Sequence, residues 1–280
     1  MCTVVENLIS IFIIYKSYPY LVFRMTKHTY SDALLLAFPD HWNAAINHPF
    51  VSALCAGNLP HEAFKEYVIQ DWIFCQAVQK LIAYTIAKMP EKTVKSPHQA
   101  SWESLKEKLA RRVRPGAEMR ALEQFIGQLD IQPEELHQAS LVTRGFSDYL
   151  VALGATATYK ECLIALLVIT YVYEAWAEKF TGLQSGDRMI DRWIKVHQDR
   201  ALGPTVAVLR DLIDASRPES PPHINHKHEQ VLQQCLAWEV TFWESIANYG
   251  MYQWPVGGTP CETRQMTQSK VQRGAREMGR

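Results

Sequence analysis

The sequence predicts an all-α fold, a single-domain helical bundle, on three observations. From Ser31 onward the apolar residues recur at spacings of three and four, the period of a helix with one buried face. No Val-, Ile- or Thr-rich run alternates with period two between turn residues, as a half-buried strand would. No Gly/Pro/Ser-rich linker splits the helical region and no repeat is visible, so one core is the simplest account. With 280 residues, 48% hydrophobic and 21% charged, the chain can bury that core without disulfides or metal. The domain is expected over residues 28–250, between a variable extension at 1–27 and a disordered basic tail at 251–280.

A first helix or helix pair covers Ser31 to Asn47, with Ser31 as its cap and Pro39 as its break. Phe50 to Ala56 is a short apolar helix closed by Gly57-Asn58. Pro60 then opens a long helix that runs to Met89, before Pro90. Trp102 to Val113 is amphipathic, Arg114-Pro115-Gly116 breaks it, and another helix ends near Asp130. Further helices are predicted at Arg144–Leu153, Tyr159–Phe180, Arg188–Asp199 and Thr205–Ala215. The prolines of the 216–226 loop separate these from a last helix, about Lys227 to Asn248, closing at Gly250.

Lys+Arg and Asp+Glu stand at 29 each, so no net field draws phosphate backbones or acidic membranes, and neither nucleic-acid nor membrane partners are expected. The apolar run Leu8–Tyr15 is cut by Lys16, far short of the roughly 20 residues that span a bilayer. Glu6 is the only charged residue before it, the reverse of a signal peptide. A membrane-targeting role for this run is the weaker reading. The six cysteines form no CxxC pair and read as buried thiols of a cytoplasmic protein.

Three acids fall where a core should be. The stripe Phe64, Tyr67, Val68, Asp71, Phe74, Cys75 carries a carboxylate at a position that helical spacing assigns to a hydrophobe. Glu174 is the first interior charge of a helix without any from Cys162 to Tyr173, and Glu239 interrupts Leu232, Cys235, Leu236, Phe242, Trp243. A buried carboxylate needs a partner, a raised pKa or a polar cavity. For any one of them a hydrogen bond to a Tyr, Trp or His across the core is an equal account; three on three helices point to a shared acid–base site.

Other constellations are weaker. His223, His226 and His228 match no ligand spacing and read as solvated. The three acids lack the Glu-x-x-His partners of a di-iron bundle, and GxSxG, HExxH and glycine-rich phosphate loops are absent. Cys75 and Cys162 have no activating His nearby in sequence and read as inert. No metal and no cofactor are expected.

Two separated runs resemble the TenA (thiaminase II) family. They are His48-Pro49-Phe50-Val51 through Ala56-Gly57-Asn58-Leu59-Pro60 to Phe64-Lys65-Glu66-Tyr67-Val68-Ile69-Gln70-Asp71, and Glu239-Val240-Thr241-Phe242-Trp243-Glu244. The similarity covers about residues 31–249. The resemblance implies a heme-oxygenase-like bundle with an aminopyrimidine pocket, in a family that salvages the pyrimidine half of thiamin. It implies that Asp71 binds the ring and its amino group, that Glu239 is catalytic and that Tyr173 is a pocket tyrosine. Ile169 stands where cysteine-type members carry their nucleophile, which argues against thiamin cleavage through a thiol; Phe74, Phe146 and His197 stand where those members carry pocket tyrosines. Tyr173-Glu174-Ala175 is similar instead to the glutamate-type branch, which implies a catalytic Glu174 and hydrolysis of a C–N bond in a free or formylated aminopyrimidine. A homo-oligomer is expected. Two alternatives remain, since fold does not fix function: a cofactor-independent oxidase, and a pyrimidine-binding or regulatory protein without turnover. A haem-binding version would need a pocket-facing His, and no His is expected on a strongly apolar stripe.

Overall fold

In a computed structural model, described for residues 29–90, 117–215 and 224–248 together with positions 103 and 107, every long element is helical. The first two helices are α1 (Tyr30–Leu36) and α2 (Pro39–Ile46), the predicted pair with its break before Pro39. The cap differs from expectation. Thr29 accepts from the Asp32 amide and Asp32 reaches back to the Thr29 amide, a capping box, while Ser31 is drawn to Asp214 instead, through its amide at 2.7 Å and its hydroxyl at 3.0 Å. Helix α3 (Pro49–Cys55) ends at Gly57, whose φ of +69° and approach to the Ser185 carbonyl, where a Cβ would meet it at 2.7 Å, both require glycine.

Helix α4 (His61–Ala87) is the long helix of the sequence analysis. Helix α5 (Ala117–Gln128) follows, then a 3₁₀ turn (Glu135–His137) that periodicity did not reveal. Helix α6 (Leu141–Thr156) starts three residues before the expected Arg144, because Ser140 caps it by accepting from the Thr143 amide at 3.0 Å. Gln70, buried on α4, pins that start: it accepts from the Ser140 amide and donates to the Gln138 carbonyl, each at 2.9 Å. Helix α7 (Tyr159–Glu178) opens on the capping box Thr158/Glu161 and is buried at every residue from Glu161 to Ala177. It is the central rod, in contact with α2, α4 and α6 and with the three helices that follow it.

Those three are α8 (Arg188–His197), α9 (Asp199–Ala215) and α10 (His226–Ala247). Helix α9 starts well before the expected Thr205 and takes Pro204 into its interior, so proline is not the boundary it was read as. Polar pins lock the perimeter: the Arg210–Asp32 ion pair ties α9 to α1, and the Tyr30 hydroxyl meets His228 Nδ1 at 2.6 Å. That bond corrects the reading of His228 as solvated; His226 is exposed as expected, and His223 lies outside the described residues. The predicted helix Trp102–Val113 also lies outside them, save for Glu103 and Glu107, both helical, as do the closing Gly250, the extension through residue 28 and the tail. Among the described residues no helix is long and apolar enough to cross a membrane.

Candidate active site

The α4 stripe delivers Asp71 to the interior as the spacing predicts, with 1% of its surface exposed. Its Oδ1 accepts from the Tyr173 hydroxyl of α7 at 3.3 Å, and its Oδ2 has no hydrogen-bond partner. Burial holds the Asp71 carboxyl well above the ordinary carboxylate range, and the negative charge of Glu118 adds to the rise. Burial thus favours the neutral acid, which can both donate and accept. One helical turn earlier, Tyr67 accepts from Trp193 Nε1 at 2.8 Å, so its ring is fixed beneath the aspartate.

Beside this pair lies a cavity of about 180 Å³, walled by α4, α5, α7, α8 and the start of α9. Asp71, Phe74 and Cys75 line it from α4, Ile169 and Tyr173 from α7, and His197 from the end of α8. Ile169 puts an apolar side chain on the wall at the position for which the family resemblance implies the cysteine of thiol-dependent members.

His197 corrects an expectation. It is 1% exposed, it packs on Tyr173 and Trp193 with ring centres 5.0 and 4.5 Å away, and it continues the stripe Ile190, Trp193, Ile194, so a histidine does occupy an apolar face. Its Nδ1 lies 2.8 Å from the Trp193 carbonyl and its Nε2 3.0 Å from Glu118 Oε1. A carbonyl only accepts, so Nδ1 carries a hydrogen and Nε2 faces the carboxyl. Glu118 also lines the cavity and was missed by the sequence reading. It stands in the first turn of α5, where an acid is already accounted for by the helix dipole.

The remaining candidates stand one layer back. Glu239 on α10 is fully buried, neither of its oxygens has a hydrogen-bond partner, and burial together with the nearby Asp71 charge raises its carboxyl well above the usual range. Glu174 is fully buried on α7, one turn beyond Thr170, which lines the cavity. Phe146 packs between Phe74, 4.6 Å away, and the Trp238 ring, stacked at 5.8 Å, rather than on the wall. Gly145 makes room for that stack: a Cβ there would meet Trp238 at 2.8 Å.

The description of the TENA/THI-4/PQQC family matches residues 37–249. The chain belongs to that family. Among curated relatives, an aminopyrimidine aminohydrolase of Helicobacter pylori is 23% identical over 79% of this chain and 97% of its own length. An aminopyrimidine aminohydrolase of Bacillus subtilis is 22% identical over 76% and 88%. Among solved structures, a TenA homologue from P. horikoshii OT3 superposes with a TM-score of 0.64 at 24% identity, over 79% of this chain and 99% of that one. A TenA family transcription regulator from Silicibacter gives 0.67 at 20% identity, over 79% and 97%. These likenesses show the fold of the family: an all-α, heme-oxygenase-like bundle, as the helical periodicity predicted.

Proposed function

We propose that this protein hydrolyses an exocyclic C–N bond of a thiamin-derived aminopyrimidine, removing a formyl or an amino group, in the salvage of the thiamin pyrimidine. The observation that carries the reading is Asp71: a neutral, buried acid with one oxygen held by Tyr173 and the other unpartnered, on a cavity sized for one ring. About 150 Å³ suffices for a benzene, so 180 Å³ matches a single substituted heteroaromatic. A 4-aminopyrimidine offers a ring nitrogen that accepts and an amino group that donates. The protonated Asp71 satisfies both, its O–H to the ring nitrogen and its carbonyl oxygen to the amino N–H. Phe74 and Tyr173 supply aromatic faces for the flat ring.

With Ile169 in place of a thiol, water is the nucleophile and needs a base. Glu174 and Glu239, which stand behind Thr170 and Asp71 rather than on the wall, are the acid–base pair of this reading, reaching the bound ring by side-chain rotation or through the attacking water. One takes a proton as the water oxygen bonds to the carbon under attack; the other returns a proton to the nitrogen as the C–N bond breaks, releasing an amine and formate from a formamide, or ammonia from an aminomethyl group. The raised Glu239 suits the protonated partner. The relatives named aminopyrimidine aminohydrolases support the same chemistry. The reading extends to a homo-oligomer and to a cytoplasmic setting, the latter in keeping with buried cysteines that form no disulfide at Cys55, Cys75, Cys162 and Cys235.

The test is a chromatographic product assay with the formylaminopyrimidine, the free aminomethylpyrimidine and thiamin in parallel. Turnover of a pyrimidine but not of thiamin, lost in Glu174→Gln, is expected. Binding without turnover of any of the three would replace the hydrolase by a ligand-binding relative.

A further inference from the structure

We propose that Asp71, Cys75, Glu118 and His197 form a site for a zinc-class divalent cation on the cavity wall. Asp71 and Cys75 are one turn apart on α4 and project to one side, while Glu118 arrives from the first turn of α5. One donor atom from each of the three lies within 4.8 Å of the others. The fourth donor, His197 Nε2, is 3.0 Å from Glu118 Oε1. Metal–ligand bonds of about 2.0 to 2.3 Å put tetrahedral donors roughly 3.3 to 3.8 Å apart, so side-chain shifts of about 1 Å bring Asp71, Cys75 and Glu118 to bonding distance, and a larger turn of the His197 ring brings in the fourth donor.

Three features favour a metal over a chance cluster. The donor set is two carboxylates, a thiol and an imidazole, which suits a borderline-soft ion and not the all-oxygen shells of calcium or magnesium. The imidazole is already oriented: its Nδ1–H is donated to the Trp193 carbonyl at 2.8 Å, the outer-shell bond that fixes Nε2 as a ligand. With Nδ1 so committed, Nε2 and Glu118 Oε1 are two acceptors at 3.0 Å, and something positive must stand between them, a proton or a cation. Independently, Asp71 Oδ2 is a buried oxygen with no hydrogen-bond partner on a residue that lines the same cavity.

An ion held here engages Asp71, the group that receives the pyrimidine, so metal and substrate exclude one another; this consequence rests on the proposed function, whereas the metal site does not. The experiment titrates metal-stripped full-length protein with Co²⁺ alone and reads the thiolate-to-cobalt charge-transfer band. Expected are saturation at one ion per chain, displacement by Zn²⁺, loss of the band in Cys75→Ser and affinity weakened by about tenfold or more in His197→Gln. No thiolate band in the wild-type protein, which requires no variant to fold, would overturn the site and leave only a proton between His197 and Glu118. A band unchanged in Cys75→Ser would overturn it as well. In the hydrolysis assay Zn²⁺ should raise the apparent KM for the pyrimidine without lowering kcat; an unchanged KM at a saturating metal concentration refutes the exclusion. If no pyrimidine is turned over, the functional reading fails while the cobalt band still decides the site.

Discussion

Glu239→Gln should flatten the pH dependence of folding stability. Glu239 is fully buried with neither oxygen hydrogen-bonded, and burial followed by the Asp71 charge raises its carboxyl well above the ordinary 4.5. The native protein keeps that proton at a pH where the unfolded chain has released it, so the native state binds more protons. Stability is then fully present below the ordinary glutamate range and is lost as pH climbs toward the elevated native value, by about 1.4 kcal/mol per pH unit for one group. Each such unit corresponds to about 3 to 6 °C in Tm for a domain of this size. Glutamine cannot titrate, and its buried amide carries a cost of about 1 to 3 kcal/mol that does not vary with pH. Asp71 contributes a slope of the same sign in both proteins and is coupled to Glu239, so the variant's curve is flatter rather than flat. The assay is urea denaturation followed by tryptophan fluorescence from about pH 5 to 8. Parallel wild-type and variant stability curves would refute the buried, proton-bearing Glu239.

Tyr173→Phe removes the hydroxyl donated to Asp71 and leaves that acid without a side-chain partner; a loss of about 1 kcal/mol in denaturation and a higher KM for the pyrimidine are expected. Phe146→Ala empties the space between Phe74 and Trp238 and should cost about 3 to 5 kcal/mol by thermal or urea unfolding, with KM far less affected because the ring is not on the wall. Thr158→Ala breaks the capping box of α7 and should cost about 1 kcal/mol in the same assay with kcat unchanged.

Much of this architecture is legible in the sequence because helical period and burial agree. The apolar run after Thr158 reads as a central helix, and α7 is buried throughout; Asp71, Glu174 and Glu239, the three acids on apolar stripes, all lie inside. The boundaries that slipped did so where a nearby residue gave a competing signal. Ser31 looked like a cap, but Asp214 claims it and Thr29 takes the role. Pro204 looked like a breaker, yet α9 accommodates it within its early turns. His197 is named only through the family resemblance, yet its place on an apolar face was legible too, since Ile190, Trp193, Ile194 and His197 follow the i, i+3, i+4, i+7 rule that exposed the acids. Glu118 could not, because an acid in a first turn is ordinary and its contact with His197 arises only where α5 meets α8.

The most direct test of the central claim compares pyrimidine binding and turnover in Asp71→Asn and Glu174→Gln. Asp71→Asn, unable to donate to the ring nitrogen and accept from the amino group with one carboxyl, should lose binding in calorimetry, while Glu174→Gln should bind the pyrimidine and fail to release product. Wild-type turnover in Glu174→Gln, or undiminished affinity in Asp71→Asn, would contradict that claim.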